Sequence, residues 1–135
     1  MYPTISHTIL VVDDESDVVD LLVECLTDSG YRVITANDGW EALKKFQKHR
    51  PDLVISDVIM PELDGIRLVK KIQASTPDAK IVLMTGYPAE VREAVGHPVN
   101  ELGVVCLVEK PFRLIELLST VHVLLMDQTM LECAV

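Results

Sequence analysis

The chain has 135 residues, 49% of them hydrophobic and 24% charged, and carries a formal net charge of −9. That length buries a core without disulfide or metal staples and suits one domain, 1–135, and the apolar content excludes a disordered chain. The acidic balance repels nucleic acid phosphates and anionic lipid, so neither nucleic acid nor a membrane is an expected partner.

The opening residues, MYPTISHTILVV, lack a charged stretch followed by a long apolar run, so no signal peptide is expected. No uninterrupted apolar segment is long enough to span a bilayer. Cys25, Cys106 and Cys133 lie far apart without CxxC spacing. An odd number with no framework points to reduced thiols and a cytoplasmic setting. His7, His49, His97 and His122 show no metal-ligand spacing either.

The first element is the run TILVV (8–12), continuous and β-branched, as in a strand buried on both faces. ESDVVDLLVECLTDSG follows with Val18, Leu22, Cys25 and Leu26 on one helical stripe and Gly30 as its stop. YRVITA (31–36) is the second strand. DGWEALKKFQKH is a second helix, with Trp40, Leu43 and Phe46 in helical spacing and Pro51 closing it. Lys44, Lys45, Lys48, His49 and Arg50 cluster there and read as a solvated helix face. DLVIS (52–56) is the third strand, and DGIRLVKKIQAS, with Ile66, Val69 and Ile72, is the third helix. KIVLM (80–84) precedes PAEVREAVG, a helix predicted to be short because Gly96 and Pro98 break it. VVCLV (104–108) leads to the longest helical pattern, RLIELLSTVHVLLMDQTML, after which the tail to residue 135 is expected to fray. The order βαβαβαβαβα predicts an α/β domain, a doubly wound five-stranded parallel sheet flanked by five helices, with its core over about residues 7–125.

In such a sheet all strands point the same way, and ligands bind at their C-terminal ends where the strand order reverses. The first strand runs into Asp13, Asp14 and Glu15, the third into Asp57, the fourth into Thr85-Gly86, and the fifth into Glu109, Lys110 and Pro111. Each piece alone has a structural use, as a helix cap, a turn or a surface lysine. Together they bring three carboxylates, a hydroxyl and an ammonium to one edge. Clustered carboxylates raise one another's pKa unless cations sit among them. Lys110 is one cation, and a hard divalent ion with oxygen ligands, Mg²⁺ above all, is the natural other. A carboxylate can attack a phosphoryl group to form an acyl phosphate, while metal and ammonium neutralise the transferring oxygens.

ILVVDDE, DLVISDVIMPELDG, IVLMTG and EKPF together resemble the receiver domain of two-component response regulators, over about residues 7–125. The resemblance implies a flavodoxin-like fold and a phosphoacceptor signalling domain that takes a phosphoryl group from a histidine kinase or phosphotransfer protein onto Asp57. It implies that Asp14 binds Mg²⁺ directly, Asp13 through water, and that Asp57 and the backbone carbonyl of Ile59 complete the protein ligands. Thr85 would meet the phosphoryl oxygen, Lys110 would bridge it to Asp57, and the Lys110–Pro111 peptide would be cis. Pro61 and Gly65 would shape the loop beneath Asp57. Such a module is not a metabolic enzyme; it transfers and loses phosphate by its own chemistry and switches partner binding.

The sequence departs from the family at Leu107, where the family usually carries Tyr or Phe as part of the switch. The segment between Thr85 and Lys110 also looks long, and its GHPVN breaks the fourth helix. In the family, the fourth helix, fifth strand and fifth helix form the output face, so an unusual partner or a homodimer through that face is expected. In the last helix, Leu114, Leu117, Leu118, Val121 and Leu125 suit the core, and Ile115, Val123, Met126 and Met130 face elsewhere. Ile59 and Tyr87 flank the path of hydrolytic water in the family without a carboxylate or amide to orient it, which predicts slow-to-moderate phosphate loss. No output motif follows the fifth helix, leaving a receiver that works alone through a downstream protein partner or one separated from its own output domain. A Mg²⁺-dependent aspartyl phosphatase fits less well, because DDESD does not match its DxDxT motif. A phosphorylation-independent scaffold fits poorly with intact Asp57, Thr85 and Lys110.

Overall fold

The computed structural model describes residues 6–95 and 105–126. Its elements are β1 (Thr8–Val12), α1 (Ser16–Asp28), β2 (Arg32–Ala36), α2 (Gly39–His49), β3 (Leu53–Asp57), α3 (Gly65–Ser75), β4 (Ile81–Thr85), α4 (Pro88–Val95), β5 (Val105–Glu109) and α5 (Leu114–Leu125). The five strands form one parallel sheet in the order β2-β1-β3-β4-β5. This is the doubly wound, flavodoxin-like α/β fold expected from the strand and helix alternation. The order reverses between β1 and β3, which opens the crevice beside the ends of those two strands.

Continuous apolar strands demand cover on both faces, and the helices supply it. On one side Leu10, Val12, Val54, Ile81 and Leu83 pack with Ala42 and Phe46 of α2, Leu68, Val69 and Ile72 of α3, and Val91 of α4. On the other, Ile9, Val11, Leu53, Ile55, Val82 and Met84 pack with Val19, Leu22 and Leu26 of α1 and Leu117, Val121 and Leu125 of α5. Strands β3 and β4 are buried throughout, whereas β2, at the sheet edge, is buried at Ala36 alone.

Three helix assignments need correction. Trp40 stands 46% exposed, not in the core. Gly39 and Ala42, small enough for close approach, take the sheet-facing positions of α2 together with Phe46. In α1 it is Val19, not Val18, that is buried with Leu22 and Leu26, and Cys25 is half-buried. The last helix stops at Leu125, where Met126 turns extended at ψ 138°, so α1 is the longest helix described. Helix α4 is described over 8 residues, Pro88–Val95. Cys25 and Cys106 are free thiols. The readings placed on GHPVN, His97, Met130, Cys133 and the tail lie outside the described residues. Among the described residues, no helix is long and apolar enough to cross a membrane.

Candidate functional site

β1 delivers Asp13 to the crevice. Its backbone N–H donates to the Ala36 carbonyl at 3.3 Å, carrying the β1–β2 ladder one residue past the strand. The side chain is buried at 1% exposure. Its Oδ1 accepts the Glu15 N–H at 2.9 Å, holding the first turn of α1, where Glu15 makes no side-chain cap of its own. Its Oδ2 is buried and has no hydrogen-bond partner among the described residues. Burial, with Asp57 and Asp14 nearby, pushes the Asp13 carboxyl up to about 6, against the opposing pull of the Glu15 N–H and the Lys110 ammonium.

Asp57 closes β3 and is 7% exposed. Its Oδ2 lies 3.1 Å from Lys110 Nζ, and its Oδ1 accepts a long 3.4 Å hydrogen bond from the Ile59 N–H. The carboxylates of Asp13, Asp14 and Asp57 each offer an oxygen within 4.8 Å of the others. Three acids around one buried, unpartnered oxygen, with one ammonium in reach, make a donor set suited to a hard cation.

The loop beneath Asp57 is fixed by close backbone approach. A Cβ at Gly65 would strike the Asp57 carbonyl oxygen and lie 2.9 Å from Val58 Cα. Instead the Gly65 N–H donates to the Val58 carbonyl at 2.8 Å, and Asp64 caps α3 by accepting the Arg67 N–H at 2.8 Å. The loop also holds Glu62 at φ 67°, a left-handed conformation that costs a non-glycine residue about 1 kcal/mol. Sequence reasoning missed Gly39, where a Cβ would meet the Leu63 carbonyl and side chain. The Asp-Gly pair opening α2 reads equally as an N-cap, which Asp38 also provides by accepting the Glu41 N–H at 2.8 Å.

Thr85 ends β4 at 3% exposure, and its Oγ1 accepts the Tyr87 N–H at 2.9 Å, which ties the hydroxyl to the start of the next loop. The Thr85 carbonyl accepts the Lys110 N–H at 2.8 Å. The Lys110–Pro111 peptide is cis, and the lysine side chain reaches back to Asp57. Leu107 is half-buried and packs against the α2–α3 side of the core. Ile59 and Tyr87 stand 67% and 62% exposed. Asp13, Asp57, Thr85 and Lys110 thus meet at one sheet edge, with Asp14 as an exposed member of the acid cluster.

The family model described as "Response regulator receiver domain" matches residues 9–122. The chain is 44% identical over 104 residues to the alkaline phosphatase synthesis transcriptional regulatory protein PhoP of Bacillus subtilis, covering 77% of this chain and 42% of that one. It spans about half the length of the curated relatives it matches. Among solved structures, the chemotaxis protein CheY4 of Vibrio cholerae superposes with a TM-score of 0.76 at 33% identity, covering 90% of this chain and 100% of that one. The response regulator protein TrrA of Thermotoga maritima, solved in complex with Mg²⁺-BeF, gives 0.75 at 38% identity, covering 88% and 99%.

Proposed function

Since this chain belongs to the family of response regulator receiver domains, we propose that it is a single phosphoacceptor domain over 1–135, working in the cytoplasm within a two-component system. A histidine kinase or phosphotransfer protein supplies the phosphoryl group, and Asp57 receives it. The recipient of the signal is a downstream protein partner or an output domain of the kind the longer relatives have room for. The buried, unpartnered Oδ2 of Asp13, set among three carboxylates beside the Lys110–Asp57 ion pair, is the observation that carries this reading.

A carboxylate oxygen of Asp57 attacks phosphorus, the P–N bond of the phosphohistidine breaks, and the imidazole leaves with the bonding pair and takes up a proton. The product is an acyl phosphate. Burial on a rigid strand holds the nucleophile in one orientation. The Lys110 ammonium neutralises charge on the carboxylate and, after transfer, on the phosphoryl oxygens. Thr85, whose oxygen is held by the Tyr87 N–H, donates its hydroxyl hydrogen to a phosphoryl oxygen. Asp13, Asp14, Asp57 and the Ile59 carbonyl would hold Mg²⁺, which, when bound, offsets the charge of the acids and of the incoming phosphate. Apart from this transfer and the hydrolysis of the acyl phosphate to carboxylate and inorganic phosphate, the domain runs no catalytic cycle of its own.

Intact mass after incubation with acetyl phosphate tests the assignment. The expected result is a gain of one phosphoryl group with Mg²⁺, lost with EDTA and lost in Asp57→Asn. A gain that survives Asp57→Asn would move the acceptor elsewhere.

A further inference from the structure

The helices divide the charge of this acidic chain between the two faces of the sheet. Helix α1 carries Asp17, Asp20, Glu24 and Asp28 and no Lys or Arg. Helices α2 and α3, on the opposite face, carry six of the chain's twelve Lys and Arg against one acid, Glu41. The lysine clusters of α2 and α3 are separate in sequence and become one surface in the fold. Lys71 of α3 lies 5.3 Å from the ring centroid of Trp40 on α2, and Lys44 and Lys48 of α2 and Arg67 and Lys70 of α3 stand exposed on the same two helices. Lys45 turns away, donating to the Thr35 carbonyl and pairing with Glu41 at 3.4 Å.

Each charged face also has one exposed apolar side chain at its centre. Leu21 is 45% exposed, with Asp17, Asp20, Glu24 and Asp28 on the same exposed stripe of α1. Trp40 is 46% exposed among lysines. A desolvated apolar contact ringed by opposite charges is the arrangement that protein interfaces use for anchoring and register. The two faces are complementary in charge sign and in having a central apolar residue.

We propose that the α2–α3 face of one molecule docks the α1 face of a second copy of this chain. The contact is head-to-tail, because the two surfaces lie on opposite sides of the sheet in each copy. It is therefore not self-satisfying: a pair leaves one acidic and one basic face open, and association continues past the dimer. The charge rings are solvent-exposed, so salt weakens the contact. The net charge of −9 opposes it at long range, which keeps it weak. It does not depend on the phosphoacceptor reading.

Light scattering and Trp40 fluorescence test it together, since Trp40 is the only tryptophan. At low salt, concentrated protein (about 1 mM, where a weak interface fills) is expected to show an average mass rising past twice the 15.0 kDa monomer, with a shift in Trp40 emission. Both should revert in about 0.5 M salt, where screening is short-ranged. Lys44→Glu/Lys71→Glu and Asp20→Lys/Glu24→Lys should each stay monomeric alone, with unchanged phosphoryl uptake, and should associate when mixed, because opposite charges then face each other again. A wild type that stays monomeric throughout overturns the proposal, as does a mixture that fails to associate. If the monomer instead binds phosphatidylglycerol vesicles through Lys44 and Lys71, the basic face serves a lipid surface and the second copy is wrong.

Discussion

Asp13 carries the cost of burying a carboxylate beside two other acids. Its folded carboxyl sits at about 6 against an ordinary 3.8. The folded chain therefore holds this proton more tightly than the unfolded chain. The associated stability is fully present below about pH 4 and is lost as the pH rises to about 6. Asp13→Asn keeps an acceptor for the Glu15 N–H and cannot titrate. In EDTA, wild type should lose up to about 3 kcal/mol relative to this variant between pH 4 and 7, and Mg²⁺ should restore it. Urea midpoints across that range check this, and a constant gap between the two proteins would refute it. Ile59 and Tyr87 make the second prediction at this scale. Both are exposed, and neither offers a carboxylate or amide to orient a water molecule toward Asp57. The phosphorylated protein should last minutes or longer, and Ile59→Asn should shorten that life, as followed by the decay of its intact mass. A phosphoprotein lost within seconds would contradict the first part.

Helix caps dominate at the scale of the element. Asp38 and Asp64 each accept a backbone N–H three residues on, and Glu41 reaches back to the Asn37 N–H at 3.2 Å. Asp38→Ala and Asp64→Ala should each cost about 1 kcal/mol in chemical denaturation. The strands were legible in the sequence, because a β-branched run admits few alternatives, whereas the caps at Asp38 and Asp64 were not, because an Asp-Gly pair reads equally as a turn. Asp57 and Lys110 were legible for a related reason: a charged residue directly after a buried strand has to emerge at the sheet edge. Helix faces were harder. Trp40, Leu43 and Phe46 form a good helical stripe, yet Trp40 stays exposed while Gly39 and Ala42 join Phe46 on the buried side, since apolar size favours the larger residue and close packing the smaller. The basic surface was missed for a different reason. The lysines of α2 looked like an isolated solvated face, and their continuation on α3 exists only after folding brings Lys71 to Trp40.

At the scale of the whole molecule, the crevice lies where the sheet changes direction, and its two flanks are built differently. On the β3 side, Gly65 abuts the Asp57 carbonyl and Gly39 abuts that of Leu63, so helices α2 and α3 are seated directly on the backbone of the loop. Gly65→Ala should destabilise the protein by about 1–3 kcal/mol, because the added methyl meets backbone that cannot step aside. It should also slow phosphoryl uptake, and urea denaturation with acetyl phosphate kinetics would check both. On the β4–β5 side, the described side-chain ties are single polar contacts, Tyr87 to Thr85 and Lys110 to Asp57, beside the backbone bond from Lys110 to Thr85. One flank is thus an anvil and the other a latch. On the proposed reading, a phosphoryl group on Asp57 is expected to displace the polar ties before the glycine-seated loop. The two glycines would then set the direction of the signal, by leaving no slack on their side.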